Sequence, residues 1–98
     1  MNSKMDQIYF YHGFLYKWES SKARKTFFDD GILIKHCVQA IFDCDLPVEQ
    51  TEFQPPRWKY VGLSDIGLIT VITAEDETRI ITAWRSSKAE ENEYHKMA

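Results

Sequence analysis

Hydrophobic and polar positions alternate with two different periods along this chain. In residues 32–42, apolar side chains recur at the i, i+3, i+4 and i+7 spacing of one helix face. Residues 57–63 instead alternate, and residues 68–74 are β-branched and apolar on both faces, as in a central strand. An aromatic strand is predicted at Phe14–Trp18, with residues 8–11 as its extension or as a second strand.

Two helices are predicted between the aromatic strand and residue 57. The first covers residues 19–31, with Ser20 or Ser21 as its N-cap. Gly31 suits the C′ position, because the backbone needs a positive φ there. The second covers residues 32–42 and ends before a segment punctuated by prolines.

The remaining residues predict three strands joined by short turns, and a last helix. The strands cover residues 57–63, 68–74 and 78–84, and the helix covers residues 87–95. Tight turns impose antiparallel pairing between successive strands. The predicted fold is therefore α+β, an antiparallel sheet with two N-terminal helices and one C-terminal helix in the order β-α-α-β-β-β-α. We expect one domain over residues 1–98, with residues 1–6 flexible.

The junction between the last strand and the last helix carries two features. Ser87 and Glu90 have the spacing of a capping box, which explains both residues without any chemistry. Strand alternation predicts that Arg79 and Arg85 share one sheet face, too far apart to contact one phosphate. Arg85 and Lys88 beside a helix N-terminus are the best candidate phosphate site in the sequence.

Composition restricts the classes of function. The chain has 98 residues, 44% hydrophobic and 14% aromatic, with a net charge of −3. Such a balance argues against binding nucleic acid by overall charge, although residues 17–25 are locally basic. Cys37 and Cys44 lack metal-ligand spacing, and without a signal-like or membrane-spanning segment we expect buried, reduced thiols in a cytoplasmic protein.

Several motifs follow one another between about residues 14 and 95: Trp18, Lys22 and Ala23, then Gly31, then the segments Gly62–Gly67 and Arg79–Tyr94. Their order gives the chain a resemblance to the BrnT family of toxins. It implies a RelE-like fold and a toxin of a bacterial type II toxin–antitoxin system. Such a toxin would cleave mRNA without a metal or cofactor and would be neutralised by a DNA-binding, BrnA-like antitoxin. A homo-oligomer or a heterotetramer with the antitoxin is expected.

Ribonuclease chemistry of this kind needs a base for the 2′-OH, a cation for the phosphate and an acid for the leaving oxygen. Arg79 and Arg85 are the candidates for stabilising the phosphate, and Lys22 is a candidate second cation or, if desolvated, a base. Glu90 and Tyr94 are the candidates for the acid or the base. The RNA-binding candidates are Trp84, Ser87 and Lys88. Structural roles compete with each: Arg79 pairs with a nearby acid such as Asp76 or Glu77, and Tyr94 packs on the sheet and donates one hydrogen bond. For His36, a partly buried structural role is expected in preference to a role as a general base.

A second hypothesis uses the same fold without catalysis. The acidic balance, Asp30 where the family commonly has His, and the exposed-looking aromatic residues Tyr9, Phe10 and Tyr11 favour a toxin-like module that binds a small protein partner. A metal-dependent hydrolase is a third hypothesis, which lacks ligand spacing.

Overall fold

The computed structural model describes residues 5–97, which form one sheet and three helices. The strands are β1 (Asp6–Tyr11), β2 (Phe14–Glu19), β3 (Val48–Gln50), β4 (Arg57–Ser64), β5 (Gly67–Thr73) and β6 (Arg79–Arg85). The helices are α1 (Ser20–Asp30), α2 (Ile34–Asp43) and α3 (Lys88–Met97). The α+β class is confirmed. The structure adds two strands to the four that the sequence pattern predicted outright: β1, which was predicted only as an alternative, and β3, which was not predicted.

The six strands are arranged in the order β1-β2-β6-β5-β4-β3, and the sheet is mixed. β2 runs parallel to β6, with Lys17 opposite Arg79 and Trp18 opposite Ile80, whereas the other neighbours are antiparallel. The prediction of a wholly antiparallel sheet is therefore wrong at this one boundary. Two helices and three strands connect β2 to β6, and so long a connection permits parallel pairing.

Residues 8–11 belong to a separate strand, not to an extension of β2. His12 and Gly13, with φ of 49° and 82°, form a two-residue turn that places Tyr11 opposite Phe14. Of the residues expected to be flexible, 1–4 lie outside the described residues, and Asp6 is the first residue of β1.

Helix α1 ends as predicted but begins differently. Gly31 adopts a left-handed conformation with φ of 71°, and its N–H donates to the Phe27 carbonyl at 2.8 Å. The N-cap position is occupied by Glu19, and no side chain caps the helix there. Neither Ser20 nor Ser21 has the capping role, because the helical conformation already starts at Ser20.

The helices α1 and α2 cover one face of the sheet, here called the helix face. Trp18, Ile69 and Val71 are fully buried there against residues of both helices, including Ala23 and Cys37. Burial raises the pKa of the Cys37 thiol, so this residue acts as a small core side chain, as predicted. Cys44 is half-buried and also unpaired.

His36 has a structural role at the start of α2. Its Nδ1 atom accepts the backbone N–H of Leu33 at 2.9 Å, and only 6% of the residue is exposed. Burial, with help from Lys35, lowers the imidazole pKa. The predicted structural role of His36 is confirmed.

An extra residue interrupts the pairing of β5 with β6. Thr73 lies opposite Ile80, whereas Ile72 lies opposite Thr82, so Ile81 has no partner in β5. Such a bulge shifts the alternation of side chains along the strand.

The bulge changes the predicted faces of the two arginines. Ile80, Ala83 and Arg85 share the helix face, whereas Arg79 is on the opposite face beside Lys17. The prediction that Arg79 and Arg85 share a face is wrong, because uniform alternation does not survive an inserted residue. No helix in the described part of the chain is long and apolar enough to cross a membrane.

Candidate functional site: an acidic groove beside α3

The predicted catalytic residues do not gather in one site. Arg79 forms an ion pair at the edge strand β1. Its Nη1 and Nη2 atoms donate to the Asp6 carboxylate at 3.2 and 2.8 Å, a bidentate pair across β2. The hydrogen bonds from Arg79 hold the pKa of Asp6 below its usual range. The predicted nearby acid Asp76 instead accepts the backbone N–H of Arg79 at 3.1 Å.

Arg85 lies against α1, on the helix face. Its Nε donates to the Asp30 carbonyl at 3.0 Å, and its Nη1 donates to the Ile66 carbonyl at 2.7 Å. Asp30 is the last residue of α1, where a cation interacts favourably with the helix dipole. The guanidinium therefore joins α1 to the turn between β4 and β5.

Lys22 and Lys88 share no hydrogen-bond or ion-pair partner with either arginine among the described residues. Lys22 is exposed on α1, and no described acidic side chain forms a salt bridge with its ammonium. Lys88 is exposed at the start of α3. Because Arg85 is held against the end of α1, the proposed pairing of Arg85 with Lys88 at the α3 N-terminus has no support in these contacts.

Glu90 is the centre of a polar network on the opposite face of the sheet. One carboxylate oxygen accepts the Ser87 N–H at 2.8 Å and Trp84 Nε1–H at 3.1 Å, and the other lies 2.9 Å from Lys59 Nζ. The Glu90 N–H donates back to the Ser87 hydroxyl at 3.2 Å, which confirms the predicted capping box.

This network sets the charge of Glu90. Burial opposes ionisation, but donors from Ser87, Lys59 and Trp84 outweigh it and lower the pKa of Glu90 to about 2. Glu90 is thus a carboxylate at any physiological pH and a weak base. Trp84 uses its indole N–H within the network, so its ring is oriented by α3.

Tyr94 lies one turn further along α3. Its hydroxyl donates to Asp43 Oδ2 at 2.6 Å, and the same oxygen accepts the Leu63 N–H at 2.7 Å. The hydrogen bond to Asp43 raises the pKa of Tyr94 to about 12. The predicted structural alternative for Tyr94, one donated hydrogen bond, is what the structure contains.

A groove of about 730 Å³ brings Glu90 and Tyr94 together with residues that the pattern did not indicate. The groove lies between α3, strands β3 and β4, and residues 42–46, and we call it the α3 groove. Apolar side chains line part of it: Phe42, Leu46, Val48, Val61 and Ala89. Two of them, Leu46 and Val48, are 62% and 58% exposed.

The α3 groove is strongly acidic. Six carboxylates line it, namely Asp43, Asp45, Glu49, Glu52, Glu90 and Glu93. Among the described lining residues, the only cationic side chain is Lys59, which already pairs with Glu90. The surface therefore combines apolar side chains with an excess of negative charge, which attracts cations and repels phosphate chains.

One sequence feature could have indicated this groove. The segment from Asp43 to Glu52 carries four of the six carboxylates together with Leu46 and Val48. Its significance depends on β3 pairing with β4, which brings it near α3, and three residues are too few to show strand periodicity. Among the described residues, no group of three or more His, Cys, Asp or Glu side chains is arranged to hold a metal ion.

Comparisons with known proteins give no family assignment: no family model, curated protein or solved structure matches this chain. The resemblance to BrnT and the finer RelE-like arrangement therefore stay predictions.

Proposed function

We propose that this chain is a non-enzymatic, toxin-like interaction module whose α3 groove binds a basic, amphipathic segment of a small protein partner. The observation that carries the proposal is the lining of the groove, six carboxylates and one paired lysine around exposed apolar side chains. Under the BrnT resemblance, the partner is the antitoxin.

The charge of the groove selects the class of ligand. The low pKa of Glu90 keeps it ionised, and Lys59 pairs with it. Lys96 lies 3.8 Å from Glu93, and among the described residues the other four carboxylates have no salt bridge. An RNA phosphate chain would meet repulsion at this surface, whereas lysine and arginine side chains would meet complementary charge.

The apolar side chains determine the shape of the ligand. Leu46 and Val48 expose most of their surface at the groove, and a partner that covers them gains hydrophobic stabilisation. A helix with one apolar and one basic face satisfies both parts of the lining, in the mode of a helix bound in a groove.

The states of Glu90 and Tyr94 support binding over catalysis. A carboxylate with a pKa of about 2 is a poor base, and a hydroxyl with a pKa of about 12 is a poor acid near neutral pH. Neither group is poised for proton transfer.

Fluorescence anisotropy with a labelled amphipathic helical peptide of leucine and lysine tests the proposal. We expect saturable binding that weakens with added salt. The double variant Asp45→Lys and Glu93→Lys should weaken binding by about tenfold or more. The double variant Asp29→Lys and Glu75→Lys changes the net charge equally outside the groove and should stay within about twofold.

Equal weakening by both double variants would reject the groove as the site. So would equally tight binding of a peptide in which glutamate replaces every lysine.

The metal-independent ribonuclease toxin is the competing proposal. It is favoured by the order of the BrnT-like motifs and by Lys22, whose ammonium forms no salt bridge with a described side chain. Cleavage of mRNA during translation, together with arrest of bacterial growth that Lys22→Ala abolishes, would establish it. Intact mRNA and unaffected growth, with peptide binding retained, favour the interaction module.

A further inference from the structure

Strand β1 forms one edge of the sheet and has a neighbour on one side only. Ser20 N–H donates to the Met5 carbonyl at 2.8 Å, so the backbone of Met5 is directed toward β2. Because donors and acceptors alternate in direction along a strand, Gln7 and Tyr9 also bond to β2. The N–H and C=O groups of Ile8 and Phe10 then point outward in the plane of the sheet, away from β2.

This edge lacks the features that usually protect an exposed strand. Its six residues, Asp6–Tyr11, contain no lysine and no proline. Its one charge, Asp6, is neutralised by Arg79. Ile8 and Phe10 are 62% and 69% exposed and share a face.

The opposite edge of the sheet differs from β1. Strand β3 has only three residues, Val48–Gln50, with a glutamate in the middle. Short strands and charges are the usual means of preventing edge pairing. Of the two edges of the described sheet, only β1 is long and carries no unpaired charge.

We propose that β1 pairs antiparallel with β1 of a second copy of this chain, with Tyr9 on the two-fold axis. A two-fold axis normal to the sheet keeps each face continuous, so residues of equal parity lie opposite each other. With Tyr9 opposite Tyr9, Ile8 of each copy lies opposite Phe10 of the other.

This register satisfies the backbone and the side chains together. Ile8 and Phe10 carry the outward N–H and C=O groups, so their pairing forms about four backbone hydrogen bonds across the dimer axis. The same pairs put apolar side chains together on one face. A second copy suits this edge because the strand has no unpaired charge to match and complements itself when rotated.

Disulfide trapping tests the register. Tyr9 on the axis forms a non-hydrogen-bonded pair, whose Cα atoms lie about 4.5 Å apart, within the range that a disulfide spans. In a Cys44→Ser background, Tyr9→Cys should give a disulfide-linked dimer on mild oxidation. Tyr11→Cys is the matched control, because the two copies of position 11 lie about four residues apart along the pair and should not link.

Analytical ultracentrifugation tests the dimer without new cysteines. We expect concentration-dependent dimerisation of the native chain, weakened about tenfold or more by Ile8→Lys or Phe10→Lys. Leu63→Lys is the control, because Leu63 is 51% exposed on β4, which three strands separate from β1, and this change should leave dimerisation unaltered. Circular dichroism establishes that each variant is folded.

A chain that stays monomeric at high micromolar concentration overturns the proposal, even if another protein pairs with β1. Equal linking of Tyr9→Cys and Tyr11→Cys also overturns it.

Discussion

Lys59 Nζ lies 2.9 Å from Glu90 Oε2, an ion pair that joins β4 to α3. The Glu90 side chain is 13% exposed and that of Lys59 is 30% exposed, so solvent screens the pair in part. Because Glu90 also accepts from Ser87 and Trp84, a single carboxylate caps α3, orients an indole and fixes α3 beside the groove. The residue predicted as an acid or base is thus a structural centre of the groove.

Glu90→Gln should lower the free energy of unfolding at neutral pH, and the difference from the native chain should disappear in acid. The pKa of Glu90 is depressed in the folded state, so its contribution is present above the unfolded value of about 4.3 and disappears as pH falls toward 2. The loss at neutral pH should be on the order of 2–3 kcal/mol. Urea unfolding followed by tryptophan fluorescence between pH 7 and pH 2.5 measures it. The role would be contradicted if the variant had the same free energy of unfolding as the native chain at pH 7 and lost stability in acid to the same extent.

Arg85→Met should destabilise the fold without affecting the groove. Two hydrogen bonds to the carbonyls of Asp30 and Ile66 are lost, at a cost of about 1–2 kcal/mol. Thermal unfolding measures the loss, and peptide binding measured on the folded variant should be unchanged. If the variant keeps full stability and instead loses RNA cleavage, Arg85 belongs to a catalytic site.

Asp6→Asn should loosen β1 at neutral pH. The ion pair with Arg79 connects β1 to β6 across the intervening strand, and the substitution removes its charge. Hydrogen exchange should become faster in β1 than in β5. The difference should diminish as pH falls through the lowered pKa of Asp6, because protonation neutralises the native carboxylate as well. Uniform acceleration in both strands would indicate a global effect.

Gly62→Ala should be the most damaging of the single glycine substitutions. A Cβ atom at Gly62 would lie 2.1 Å from the Ala40 carbonyl oxygen, so α2 would have to move away from β4. We expect a loss of at least about 3 kcal/mol. Gly13→Ala is the control, since no atom lies within 4 Å and only its positive φ opposes the change, at about 1–2 kcal/mol. Equal unfolding midpoints for the two variants would contradict the close approach of α2.

The parts of the fold that local patterns determine could be predicted. The apolar stripe of α2, Gly31 after α1 and the capping box of Ser87 and Glu90 each depend on neighbours within a few residues. Parallel pairing of β2 with β6 depends instead on contacts distant in sequence. The bulge at Ile81 has no composition signal, yet it moves Arg79 and Arg85 to opposite faces.

The candidate site was harder to predict than the fold. Glu90 and Tyr94 stood out as polar residues on a helix, but their partners Lys59 and Asp43 lie on other elements. Titratable residues acquire a role from such partners, which raise or lower the pKa. A single sequence gives the residue types and not these neighbours.

We propose that the α3 groove binds a basic segment and not RNA. Two titrations of ¹⁵N-labelled protein followed by amide chemical shifts, one with the leucine–lysine peptide and one with a single-stranded RNA oligonucleotide, test it most directly. We predict that the peptide changes the amide chemical shifts of residues 43–52, Val61 and residues 89–94, and that RNA leaves these shifts unchanged. Shifts induced by RNA around Lys22, Arg79 and Trp84, with no response of the groove to the peptide, would contradict the account.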